Sequence, residues 1–142
     1  MASDTPHRPF TQPWADSFRI AINDDADYRA AAKGWQWPMA LILDPSAALG
    51  YPEAVAVRLD LDEGVCREAR IVAPAEADAA FTLRGPYAVW KRIVRGELDA
   101  IAAVVKQELE LEGKLGILVK HAKSARALVN CARQVPTRFP DE

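Results

Sequence analysis

Apolar and polar positions along the chain change period several times, and each change marks an element. Trp14, Phe18 and Ile22 recur every fourth residue, which places them on one face of a helix. Asn23-Asp24-Asp25 interrupts that pattern. Aspartate competes for backbone donors in a helix interior and favours caps, so a second helix is expected over 25–33, stopping at Gly34. Pro38 then precedes the compact apolar run Met39-Ala40-Leu41-Ile42-Leu43, which predicts a strand buried on both faces and ended by Pro45. In the stretch 55–62, Val55, Val57, Leu59 and Leu61 share one side while Arg58, Asp60 and Asp62 share the other. The turn at Asp62-Glu63-Gly64 makes 65–72 the second arm of a hairpin. Phe81-Thr82-Leu83-Arg84 is a short fourth strand of the same alternation.

Gly85-Pro86 opens a helix, with proline suited to a first helical position because its missing N–H is not needed there. Its stripe is Tyr87, Trp90, Ile93 and Val94, and Gly96 caps it. A short helix over 99–106 follows, with Asp99 as its cap. The pattern then becomes a strict alternation, Glu108-Leu109-Glu110-Leu111-Glu112, which predicts a fifth strand. The last element reads as one helix over 114–134, halted before Pro136. Leu115, Leu118, Ala122, Ala125, Val129 and Ala132 lie on one side, with Lys120, Lys123 and Arg126 on the other. Residues 1–12 carry Pro6, His7 and Pro9 without periodicity and read as a loose arm before a single domain over 13–142. One-sided strands and one-sided helices satisfy each other when helices cover one face of the sheet. The fold class is therefore α+β in two layers, a five-stranded mixed sheet with one face covered by helices.

Composition narrows the function. A formal net charge of −2 argues against a nucleic-acid protein. No stretch approaches the roughly 20 apolar residues of a membrane helix. The N-terminus has no apolar run behind a basic start, and the last residues match no peroxisomal or prenylation signal, so a cytoplasmic location is the simplest expectation. The two cysteines, Cys66 and Cys131, lie too far apart in sequence and too short of partners for a disulfide framework or zinc site, and read as buried thiols. Asp60 with Asp62, and the glutamates at 108, 110 and 112, offer too few oxygens for a hard cation and read as solvated faces. His121 has no Asp, Ser or Cys pattern around it and reads as structural. No phosphate loop, nucleophile elbow or His-Glu-x-x-His pattern occurs, so neither metal nor cofactor is expected and the chain does not read as an enzyme.

The order of elements, and above all Phe81-Thr82-Leu83, the helix of Trp90 and the stretch GELDAIAAVVKQELELEGKLG, resembles the sterol carrier protein 2 family. Gly96-Glu97-Leu98, residues 102–105, residues 108–112 and Gly113 carry the likeness, and helix–Lys33-Gly34-Trp35–strand resembles prokaryotic members. It extends from about residue 14 to 135. The resemblance implies an apolar tunnel between sheet and helices and a non-catalytic binding or transfer role for a fatty acid, acyl-CoA, sterol or other lipid. The walls it implies are Phe81, Leu83, Trp90, Ile93, Val94, Ile101, Val104, Val105, Leu109, Leu111, Leu115, Leu118 and Ala122. Alanines at 100, 102, 103, 122, 125 and 132 either leave room for a ligand or merely let helices sit close to the sheet. Lys120, Lys123 and Arg126 are candidates for transient contact with an anionic membrane surface. The alternative function is an accessory module that holds a protein partner in a lipid-handling pathway.

Overall fold

The computed structural model describes residues 5–142. It contains β1 (Met39–Leu43), β2 (Val55–Asp62), β3 (Val65–Val72), β4 (Phe81–Gly85) and β5 (Glu110–Glu112). The helices are α1 (Gln12–Asp24), α2 (Ala26–Ala31), α3 (Tyr87–Val94), α4 (Ala100–Val105), α5 (Leu115–Lys120) and α6 (Ala122–Gln134). The strands form one sheet in the order β3-β2-β1-β4-β5. Among these strands only the β1–β4 pair is parallel; the others run antiparallel, so the sheet is mixed as its pattern predicts.

The local causes are readable. Asp25 accepts a hydrogen bond from the Tyr28 N–H and starts α2, and Asp99 does the same for Ala102 in α4. The β2–β3 turn places Glu63 and Gly64 at φ 52° and 89°, the paired left-handed geometry that twists a tight hairpin correctly. A bulge between Asp60 and Leu61 then shifts the register, so the buried positions of β3, Cys66 and Ala69, fall three apart instead of two. β1 lies at the centre and is buried along its whole length. Met39, Leu41 and Leu43 join the main core on the helix side. On the opposite side Ile42 lies beside Pro74, Ala75 and Ala77 of the β3–β4 connection, so part of the outer face is not wet.

α6 is the hub of the helical layer, packing against α1, α2, α3, α4 and α5, while α1 lies along β3. Three expectations change. The final helix is two helices, because His121 leaves helical geometry (φ −103°, ψ 34°) and lays its ring against Trp35 and Trp37 at 5.5 and 5.8 Å. β5 begins at Glu110 because Gln107 turns through φ 63° and the N–H groups of Glu108 and Leu109 both bond back to the Ala103 carbonyl. The arm expected over 1–12 falls partly outside the described residues. Within them it is docked: His7 bridges to Thr137, and Phe10 is buried against Trp14 and Trp90. Tertiary contacts hold this stretch where periodicity has nothing to say.

Candidate functional site

The site is the seam between the sheet and the α-layer. Trp90 stands in the middle of α3 and is pinned there by its indole N–H, which donates to the Ile42 carbonyl at 2.9 Å. Ile93 and Val94 follow on the same stripe, and Leu83 of β4 with Leu41 and Met39 of β1 form the facing wall. Leu118 of α5 and Leu128 of α6 approach from the other side, with Ala100, Ala125 and Ala132 as the small positions between them. Phe10, Trp14 and Phe18 close one flank, successive rings lying 5.8 and 5.3 Å apart. The space among these side chains leaves about 40 Å³ open to the centres of water-sized spheres, and no polar atom contributes to its wall. Such a hollow holds no water that can hydrogen-bond. It is also far smaller than the roughly 300–1,000 Å³ of a preformed ligand pocket.

Of the residues the sequence suggests, Leu83, Trp90, Ile93, Val94, Ile101 and Leu118 line this hollow. Phe81 is buried elsewhere, in an aromatic cluster with Trp35 and Trp37 at 5.0 and 5.9 Å. Leu109 is buried over Gly85, where an added side chain would displace it. Val104 and Leu111 are half-buried at the edge of the core, and Ala122 is half-buried at the start of α6. Val105 and Leu115 lie outside the hollow, being 65% and 41% exposed. Val105 ends a six-residue helix with its side chain outward, and Leu115 is the first residue of α5, at an exposed helix start. Phe10, Trp14, Phe18, Met39, Leu41, Leu128 and Val129 also line the hollow, although the resemblance does not point to them. Trp14, Phe18, Met39, Leu41 and Val129 do carry a signal, since the apolar pattern places each on a buried face.

Among the described residues, no ionised group with an altered proton affinity faces the hollow. The altered carboxylates of the C-terminus are elsewhere: hydrogen bonds from Tyr87 and Lys91 hold Asp141 below its ordinary range, and Lys91 does the same for Glu142. Asp60 is paired with Arg67 at 3.0 Å, which accounts for the acidic face of β2. Burial pushes the thiols of Cys66 and Cys131 up to about 11 and about 12. Among the described residues no group of three or more His, Cys, Asp or Glu converges as a metal site would require, and no helix is long and apolar enough to cross a membrane.

The fold is a mixed five-stranded sheet covered by helices over a wholly apolar seam. The chain belongs to the SCP-2 sterol transfer family, whose model matches residues 16–125. A crystal structure of a sterol carrier protein 2 is 36% identical, with the match covering 90% of this chain and 99% of the other at a TM-score of 0.86. A Thermus thermophilus protein described as possibly a sterol carrier protein is 34% identical, with 97% of each chain covered and the same TM-score of 0.86. The apo sterol carrier protein 2 of Yarrowia lipolytica shares the fold at 17% identity and a TM-score of 0.56, over 86% of this chain and 91% of its own. No curated protein matches the chain. The family membership, the mixed sheet and the likeness to a bacterial member all agree with the reading of Phe81–Leu83, the Trp90 helix and the Gly96–Gly113 stretch.

Proposed function

We propose that this protein binds, and passes on, a lipid whose hydrocarbon part lies in the seam around Trp90, without catalysing a reaction. The observation that carries the reading is the all-apolar wall of the hollow. A chain or ring system buried there gains about 0.8 kcal/mol per methylene before the costs of association. The conformation described is closed, so uptake requires the α4–α6 layer to move away from the sheet. α4 and α5 are the short helices of that layer, six residues each, and the cheapest to displace.

Delivery would use the same end of the molecule. Val119, 49% exposed, precedes Lys120, and Lys123 follows three residues later, so greasy and cationic groups emerge close together. Arg126 is partly committed to Asp99 at 3.2 Å and contributes less charge to a membrane contact. Native mass spectrometry of gently purified protein tests the binding claim: a lipid-sized adduct is expected, and Ala125→Trp, which fills the seam, removes it while circular dichroism stays unchanged. An adduct-free protein that co-purifies with one enzyme would instead support the accessory-module function.

A further inference from the structure

A second crevice opens off the Trp90 hollow. The two share Met39, Leu118, Ala125 and Leu128 as walls, and the crevice continues between Trp35, Leu61, Tyr28 and Ser124. It is too narrow for a water molecule. Among the described residues, Tyr28 and Ser124 supply its only hydroxyl groups, and both are buried, at 1% and 4% exposure. The Tyr28 hydroxyl is fully buried and has no hydrogen-bond partner of ordinary geometry. Ser124 lies near enough for a weak hydrogen bond to it, outside ordinary geometry, and the Cys66 and Cys131 thiols act on it only through charge.

A buried, unsatisfied phenol is uncommon because the group loses its water without replacement. The packing here also forbids a bridging water. Once the α4–α6 layer moves away from the sheet to admit a ligand, what can satisfy it is an atom brought in through the hollow, one that accepts from Tyr28 and donates to or accepts from Ser124. The charge of that atom is constrained as well. Neither the hollow nor the crevice is lined by a described Lys, Arg or His, so an ionised head would be buried unpaired.

Building on the lipid-binding reading above, we propose that Tyr28 and Ser124 form a polar subsite at the inner end of the ligand chamber. It holds the neutral hydroxyl or carbonyl group of a lipid that enters head first and leaves its hydrocarbon beside Trp90. Carboxylates and phosphates are discriminated against by desolvation, whereas an alcohol or ketone pairs with both side chains. Selectivity would thus rest on one phenol that forms a hydrogen bond of ordinary geometry only when ligand is present.

The test compares decane, 1-decanol, 2-undecanone and decanoate, near pH 8 where decanoate is ionised, by displacement of Nile red from wild type, Tyr28→Phe and Ser124→Ala. Losing the phenol is expected to weaken 1-decanol and 2-undecanone by about tenfold or more while decane changes by less than about twofold. Ser124→Ala gives a smaller loss in the same direction. In wild type, decanoate binds more weakly than 1-decanol. The subsite is overturned if Tyr28→Phe weakens decane and 1-decanol equally, if it changes neither, or if decanoate outcompetes 1-decanol. If Nile red binds but none of the four ligands displaces it from any variant, the seam itself is not a lipid site and both readings fall together.

Discussion

Trp90 and Tyr28 are both large, buried aromatics with a polar tip, yet the structure treats the tips oppositely. The Trp90 N–H is satisfied by Ile42, so its removal is costly throughout. Trp90→Ala is expected to destabilise by about 3–5 kcal/mol, and urea denaturation measures it. The Tyr28 hydroxyl has no hydrogen bond of ordinary geometry, so Tyr28→Phe should stabilise the ligand-free protein by about 1 kcal/mol, read as a rise in Tm. A fall in Tm would show that the phenol has a partner after all. Trp90 is legible in the sequence because it sits mid-stripe in a helix with clear borders. Phe10 is not, because its burial depends on Trp14 and Trp90 closing around a residue at φ 61° in a proline-rich stretch with no period. The unpaired state of Tyr28 leaves no trace in the sequence at all, since it follows from what α6 places opposite it.

Elements bounded by their own chemistry are the legible ones. β1 lies between Pro38 and Pro45, and β2 and β3 meet at the Glu63-Gly64 turn. α4 begins at its aspartate cap, and Asp99→Ala should cost about 1 kcal/mol by losing the bond to Ala102. It also frees Arg126, so binding to anionic vesicles should rise while thermal stability falls. Vesicle co-sedimentation beside a melting curve separates the two effects. The bend between α5 and α6 is not legible, because hydrogen bonds continue on both sides of it, from His121 to Ile117 and from Ala125 to His121, and the apolar pattern runs through without a break. The burial of Leu118 and Leu128 follows the apolar face, while Leu115 is exposed at the start of α5. Small residues are ambiguous in sequence between room and close packing, and the hollow of about 40 Å³ shows how close the packing is in the closed form.

Over the whole molecule, pH divides into two sides. Burial raises the thiols of Cys66 and Cys131 above their ordinary value of 9.0, to about 11 and about 12. Groups raised on folding contribute stability that is complete below the unfolded value and lost as pH climbs through the folded values. Burial raises Tyr28 in the same sense. Unfolding free energy should therefore decline above about pH 9, and a thiol reagent should react at a rate limited by opening. Stability unchanged to about pH 11 would contradict this. On the acid side, Asp141 lies below its ordinary value of 3.8 through Tyr87 and Lys91, and Glu142 below 4.5 through Lys91. Their contribution is present above those values and lost as pH falls through the lower folded ones. The C-terminal segment is expected to loosen from α3 there while the core persists, which amide exchange of residues 139–142 detects.

On the proposed function a hydrocarbon enters between sheet and helices instead of resting on the surface. Methyl-detected NMR during titration with 1-decanol distinguishes the two. Saturable shifts are predicted at Leu41, Leu83, Ile93, Leu118 and Leu128, which line the seam, with little change at Val65 on the β2–β3 hairpin. Shifts confined to exposed Val105, Leu115 and Val119, with the seam methyls unmoved, would contradict the account.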